Sequence, residues 1–309
     1  MEQDPLLVIL GATASGKTRL AIALAETLAT EIISADSRQV FRGMDIGTGK
    51  DLAEFNQAKI PFHLIDIREA GESYHVNAFK EDFYAAFRQI SEREKIPILV
   101  GGTGMYIHSL LQNYEYTAVP KNEELRLALQ DFDRIQLLEQ IKSYPANLVA
   151  HADLSSTKRL IRAIEVADYL KGNTLKTFAK PSINPLVIGL VDELSTRRAK
   201  ISNRLDLRLK EGLIEEVEML IARGVSLDKL IFYGLEYKFV ALYLMKQIDY
   251  QTLKERLTVA IFQFAKRQMT FFRKMEKDGV KIHWLKADKE LFSLKAEALE
   301  LINHHIQLK

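Results

Sequence analysis

Short apolar runs alternate along the chain with longer stretches in which apolar residues recur every three or four positions. The first run is Leu6-Leu7-Val8-Ile9-Leu10, and residues 19–28 follow a glycine-containing loop with Leu20, Leu24 and Leu28 on one helical face. Further β-type runs lie at 31–34, 62–66, 96–100, 186–191 and 280–285, with helical patterns at 76–94, 200–223 and 253–277. Strands and helices in alternation predict an α/β fold, a parallel sheet with helices on both faces. Ligands of such sheets sit beyond the carboxyl ends of the strands, so the residues that end each strand are the first candidates for chemistry.

Between about 120 and 181 the pattern changes. No strand is evident, and 123–141 and 157–170 read as amphipathic helices, punctuated by Pro145, Gly172, Pro181 and Pro185. The expected organisation is a catalytic core from 1–119 and 182–309, interrupted by an all-helical insertion at 120–181. Residues 291–309 read as a last helix without a motif.

Composition narrows the chemistry. With 47% hydrophobic and 27% charged residues the chain has material for an ordinary packed core. No cysteine is present, which excludes disulfides, thiolate zinc sites and cysteine nucleophiles and fits a reducing compartment. The acidic start Met1-Glu2-Gln3-Asp4 and the short run after it do not read as a signal peptide, and no stretch reaches the length of a membrane span. The expectation is a cytoplasmic protein with no membrane partner. A net charge of +2 requires any nucleic-acid footprint to be local.

The loop after the first run is Gly11-Ala12-Thr13-Ala14-Ser15-Gly16-Lys17-Thr18, a G-x-x-x-x-G-K-T sequence between a strand and a helix. In that context glycine lets the backbone approach a phosphate, and the helix start offers unpaired N–H donors. Lys17 adds a charge, and the Thr18 hydroxyl is suited to Mg²⁺. A P-loop NTPase-like core follows from this order. The second strand ends in Ser34-Ala35-Asp36-Ser37, where Asp36 is either a metal-water ligand or general base, or a cap for the residues after it. The strand at 96–100 ends in Gly101-Gly102-Thr103-Gly104, where a kinase of this loop class carries a metal-holding acid. Glycines there allow a ligand or another backbone to come close, and Thr103 offers a neutral donor and acceptor.

Basic residues cluster in three places: Lys158, Arg159 and Arg162; Lys200, Arg204 and Arg208 at i, i+4, i+8; and Lys266, Arg267, Arg273 and Lys274 among Phe264, Phe271 and Phe272. Charge interleaved with rings suits RNA, although each cluster alone is also what a solvated helix face looks like. The histidines at 63, 75, 108, 151, 283, 304 and 305 show no metal-binding spacing, and Trp284 reads as core.

Taken together, these stretches resemble the tRNA dimethylallyltransferase family. The matching segments are 11–18, Ile33-Ser-Ala-Asp-Ser-Arg-Gln-Val40, Gly43-Met-Asp-Ile-Gly-Thr-Gly-Lys50, His63-Leu-Ile-Asp66, Val100-Gly-Gly-Thr-Gly-Met-Tyr106, Lys158-Arg-Leu-Ile-Arg-Ala-Ile-Glu165 and Phe264-Ala-Lys-Arg-Gln268. The resemblance implies transfer of a dimethylallyl group from dimethylallyl diphosphate to the exocyclic amine of the adenosine immediately 3′ of the tRNA anticodon, in tRNAs reading codons that start with U. It implies that Gly11 to Thr18 hold the diphosphate, with Mg²⁺ at Thr18. Asp36 is then the general base, Thr103 touches the reacting region, and Arg204 meets the departing charge. Asp36, Ser37, Arg38, Gln39, Thr103, Arg126, Lys158, Arg159, Leu160, Ile161, Arg162, Lys266 and Arg267 are the implied tRNA contacts. The adenine is expected to be flipped out of its stack.

Two segments depart from the family pattern. Ile231-Phe-Tyr-Gly-Leu-Glu-Tyr-Lys238 stands where the family has I-G-Y-K/R, so that Glu236 has the opposite sign to the usual tRNA-facing base. Gly49-Lys50-Asp51 replaces the common Ala-Lys-Pro. Without cysteine the chain resembles the shorter bacterial form, which lacks a zinc finger, and it is expected to act as a monomer. The competing readings are an adenylate isopentenyltransferase acting on free nucleotides, a P-loop small-molecule kinase, and a non-catalytic nucleotide-binding RNA module.

Overall fold

In the computed structural model, which describes residues 3–150, 152–175 and 180–305, the first apolar run forms β1 (Asp4–Gly11). Leu6 to Leu10 are fully buried there, and their alternation divides them between two cores. Leu6, Val8 and Leu10 belong to one apolar cluster, whereas Leu7 and Ile9 belong to another. A strand buried on both faces needs helices on both sides, which an all-parallel sheet supplies.

In chain order the elements after β1 are α1 (Lys17–Thr27), β2 (Ile32–Ser34), α2 (Leu52–Ala58), β3 (Phe62–His63), α3 (Val76–Ser91), β4 (Ile98–Gly101) and α4 (Gly104–Leu111). A 3₁₀ turn (Glu115–Ala118) leads to α5 (Glu123–Leu129), α6 (Arg134–Lys142), α7 (Ala146–Val149) and α8 (Thr157–Gly172). Then come β5 (Ile183–Val191), α9 (Leu194–Lys210), α10 (Leu213–Ala222), α11 (Leu227–Tyr233), α12 (Leu235–Leu244), α13 (Tyr250–Lys277), β6 (Ile282–Lys286) and α14 (Leu291–His305). The strands form one six-stranded sheet in the order β3-β2-β4-β1-β5-β6, every pairing parallel. With β2, β4 and β1 adjacent, the carboxyl ends carrying Asp36, Thr103 and the glycine loop come out side by side.

Periodicity misplaces several boundaries for local reasons. The run at 62–66 is a strand only at Phe62–His63, because Leu64 and Asp66 take positive φ of 65° and 55°. The pattern at 200–223 is two helices, broken where Gly212 adopts φ 104°. The pattern at 123–141 is also two helices; the second starts at a capping box in which Asp133 accepts the Ile135 and Gln136 N–H groups. The helix expected from residue 253 begins at Tyr250, since Asp249 caps it by accepting the Thr252 N–H. Helices α2, α4, α11 and α12 escape the periodic pattern; all four are short, from 7 to 10 residues. Of the last helix, residues 306–309 lie outside the described residues.

The chain divides into two compact units, Met1–Gln112 with Pro181–Lys309, and Asn113–Lys180. The sheet lies in the first. The second is helical, with a core of Leu129, Leu137, Ile141, Tyr144, Leu160, Ala163, Ile164 and Ala167. Leu160 is fully buried in it and Ile161 packs against it, so the Leu160 side chain is not available as the RNA contact expected from sequence. Arg126 and Arg162 are engaged too. Arg126 donates to both Glu165 oxygens at 2.6 and 2.8 Å, and Arg162 donates to Glu165 at 3.0 Å and to the Val119 carbonyl at 2.7 Å. Burial by itself would raise the Glu165 pKa; these arginines and the Asn122 N–H reverse that and hold it below the ordinary value. Among the described residues no helix is long and apolar enough to cross a membrane.

Glu165→Ala should therefore destabilise the helical unit by about 2 kcal/mol at pH 7, discounted for the partial exposure of both arginines. Because the folded-state pKa is depressed, this stabilisation is present above the ordinary carboxylate pKa and is lost as pH falls through the folded value. Urea denaturation of both proteins checks it: the gap should be full at pH 7 and close progressively below about pH 4.

Candidate active site

The glycine loop passes from β1 into α1 without a side-chain cap. Gly16 occupies the N-cap in the left-handed region, with φ 79°, and caps nothing. The first helical N–H groups are thus left to meet an anion. Two cations converge here: Lys17, and Arg204 of α9, which donates to the Thr13 hydroxyl. Burial, then repulsion from Arg204, lowers the Lys17 pKa to about 8. Burial, then repulsion from Arg208, lowers Arg204 to about 10. Arg208 has its own partner, pairing with buried Glu236 at 3.0 Å and donating to the Gly47 carbonyl at 3.1 Å. Glu236, the residue of unexpected sign, is therefore a counter-ion inside the protein, while Lys238 is exposed and lines the cavity.

Asp36 follows β2. Its Oδ1 accepts the Arg38 N–H at 2.9 Å, so it does cap the following turn, and it also lines the same cavity as Lys17 and Arg204. The two readings open at the sequence level are compatible. Thr103 supports this turn: its hydroxyl accepts the Ser37 N–H at 3.1 Å and donates to the Ser37 hydroxyl at 3.4 Å. Close approach at the neighbouring glycines is by the protein itself. A Cβ at Gly101 would collide with the Ala35 carbonyl, one at Gly102 with the Gln268 amide, and one at Gly104 with the Phe271 ring.

The loop at 43–50 is gripped from beneath. Glu216 of α10 accepts three successive backbone N–H groups, those of Asp45, Ile46 and Gly47, at 2.6 to 3.0 Å, and the Tyr237 hydroxyl at 2.9 Å. Buried Lys50 donates to the Phe41 carbonyl at 2.7 Å and to Asp45 and Asp66. Gln39 bridges Ser34 and the Gly49 carbonyl, at 2.8 and 2.9 Å. Arg38 donates to the Tyr233 carbonyl at 3.1 Å and lies over the Tyr233 ring, 5.0 Å from its centre. The side chains expected to touch RNA at 37–39 thus have partners within the protein.

On α13 the basic and aromatic residues separate. Phe272 is core and packs near Trp284, Phe271 covers Gly104, and Phe264 and Arg267 line the cavity; Lys266 is exposed. Lys200, in the cluster with Arg204 and Arg208, pairs instead with buried Asp192 at 2.7 Å. In the helical unit Lys158 and Arg159 are exposed, and Arg159 pairs with Asp153 at 3.1 Å. Among the described residues no group of three His, Cys, Asp or Glu side chains could hold a metal, and His151 lies outside them. The result is a cavity of about 550 Å³ in the sheet-bearing unit, with Lys17, Thr18, Asp36, Thr103, Arg204 and Arg267 on its walls. Sequence reading missed Gln268, Arg208 and Glu216 as parts of this site. The signal for the first was a glutamine on the inward face of an otherwise apolar helix stripe.

The lowered Lys17 pKa makes anion binding depend on pH. Free Lys17 loses its proton as pH rises through about 8, and a bound anion holds the proton on. Sulfate, whose charge is constant in this range, should bind progressively more weakly from pH 7 to pH 9.5, approaching tenfold per unit, or about 1.4 kcal/mol. Lys17→Arg should flatten the profile, as titration calorimetry at each pH would show; a flat wild-type profile would remove Lys17 from the anion site.

The chain is similar to known proteins over nearly its whole length. The chain is 51% identical over 284 residues to tRNA dimethylallyltransferase 1 of Porphyromonas gingivalis, covering 91% of this chain and 94% of that protein. It is 45% identical over 308 residues to tRNA dimethylallyltransferase 1 of Parabacteroides distasonis, covering 99% and 100%. Its fold matches the crystal structure of a Staphylococcus epidermidis tRNA delta(2)-isopentenylpyrophosphate transferase with a TM-score of 0.71 at 32% identity, over 98% of this chain and 99% of that one. The family model described as IPP transferase matches residues 39–275, and the chain belongs to that family.

Proposed function

We propose that the protein transfers the dimethylallyl group of dimethylallyl diphosphate to N6 of adenosine 37 in tRNAs reading codons that begin with U, giving N6-isopentenyladenosine and diphosphate. The observation that carries this reading is a cavity in which two cations suited to a diphosphate, Lys17 and Arg204, face the same space as a carboxylate at a strand end, Asp36. The tRNA names of the relatives support the acceptor.

In the reaction N6 attacks C1 of the prenyl group, the C1–O bond breaks, and its electrons leave with the diphosphate. The Asp36 carboxylate takes the proton that N6 sheds, which assists an amine whose lone pair is delocalised into the ring. Lys17, Arg204 and the open N–H groups at the start of α1 meet the charge that develops on the leaving oxygen. Thr103 keeps Asp36 in place through Ser37. A divalent ion fits only if it brings most of its ligands with it, since the described residues contain no cluster of carboxylates or histidines for one. Mg²⁺ meets that condition: Thr18 would hold it together with diphosphate oxygens, and when bound it neutralises phosphate charge. For RNA, Arg267 and Lys266 on α13 and Lys158 and Arg159 in the helical unit supply exposed cations to the phosphates. Arg126 and Arg162, held by Glu165, shape the helical unit that carries Lys158 and Arg159.

Purified protein given dimethylallyl diphosphate, Mg²⁺ and unmodified tRNA should yield isopentenyladenosine on nuclease digestion, and none with AMP or ATP in place of tRNA. Phosphate transfer from ATP to a small molecule would instead establish a kinase. Asp36→Asn should lower kcat by about 10²- to 10⁴-fold, with tRNA affinity by filter binding within a few fold of wild type.

A further inference from the structure

Gln268 sits on α13 and is buried. Its Oε1 accepts the Thr13 N–H at 2.9 Å, and its Nε2 donates to the Gly102 carbonyl at 2.9 Å. One partner is a donor and the other an acceptor, so the orientation of the amide is fixed by chemistry. Thr13 is the phosphate-loop residue whose hydroxyl accepts from Arg204. Gly102 precedes Thr103, whose hydroxyl holds Ser37 beside Asp36. One buried amide thus lies between the groups that receive the diphosphate and the group that receives the proton. No Cβ fits at Gly102, because the Gln268 amide occupies that space.

We propose that Gln268 is a positioning residue for the transfer reaction: it sets the distance between the phosphate loop and the turn that carries Thr103, and so aligns the leaving group with the attacking nitrogen. Although it belongs to a basic, RNA-like segment of α13, its side chain acts inward and does not read the RNA. The inference rests on the prenyl-transfer reading above. A misalignment of this kind acts on the chemical step, because Lys17 and Arg204 remain to bind the diphosphate while the reacting atoms lose their near-attack geometry.

Gln268→Glu and Gln268→Met separate this from a merely structural role. In Gln268→Glu the ionised carboxylate still accepts from Thr13 but has no proton for the Gly102 carbonyl, whereas the protonated acid has one. Burial favours the protonated form. For this variant, kcat relative to wild type at pH 8 should fall roughly tenfold to hundredfold and recover as pH is lowered towards about 6. KM for dimethylallyl diphosphate should stay within about threefold, since ground-state binding is retained. Gln268→Met should show the loss in kcat at every pH. The charged groups lining the cavity are Lys17, Asp36, Arg38, Lys50, Asp51, Arg204, Arg208, Glu236, Lys238 and Arg267. Their own titration cancels in the ratio to wild type. Parallel pH profiles for Gln268→Glu and wild type, or a loss confined to KM, would overturn the proposal. If wild type makes no isopentenyladenosine, the functional reading fails on its own. The coupling is then read by amide hydrogen exchange, in which Gln268→Met should accelerate both Thr13 and Ser37; acceleration at Thr13 alone would overturn it.

Discussion

Two cations, Lys17 and Arg204, are held close together at the end of a parallel sheet, neither with an ion pair of its own among the described residues, and the rest of the site answers to that constraint. Like charges brought out of water are costly, and the lowered pKa values of both groups record that cost. A bound polyanion relieves it. The third cation, Arg208, is treated differently, because Glu236 neutralises it and leaves it to hold the Gly47 carbonyl. At the glycine loop itself, Lys17 and Arg204 are thereby the cations left without a carboxylate partner among the described residues.

Around this core of charge, loops without regular structure are fixed by buried and half-buried polar side chains. Glu216 gathers three consecutive N–H groups, Lys50 ties Phe41 to Asp45 and Asp66, and Gln39 ties Ser34 to Gly49. Each of these side chains ends on a main-chain group, which is how a loop can hold a defined shape without a ladder of its own. The sheet contributes adjacency, and these contacts convert adjacency into geometry.

The parts of this arrangement that the sequence revealed are those whose partners are near in the chain. Strand, glycine loop and helix run consecutively from Leu6 to Leu28, so the phosphate cradle was readable, as was the place of Asp36 at a strand end. Gln268 meets Thr13 across 255 positions and Glu216 meets Asp45 across 171, and no local pattern announces a contact of that span. Charge was the least informative signal. Lys158, Arg159 and Arg162 look alike in sequence, yet Arg162 is drawn into the buried Glu165 network while Lys158 is exposed. Leu160 stood in the same motif and proved to be core, as helical spacing from Ala163, Ile164 and Ala167 requires.

The glycines after β4 differ in what forbids a side chain, and this shapes how the segment can vary among relatives. At Gly101 the obstacle is the main chain of Ala35, which no single replacement elsewhere removes. At Gly104 the obstacle is the Phe271 ring, and at Gly102 it is the Gln268 amide. Position 104 can therefore admit alanine in a lineage that trims residue 271, and position 102 in one that shortens residue 268, whereas position 101 has no such compensating partner.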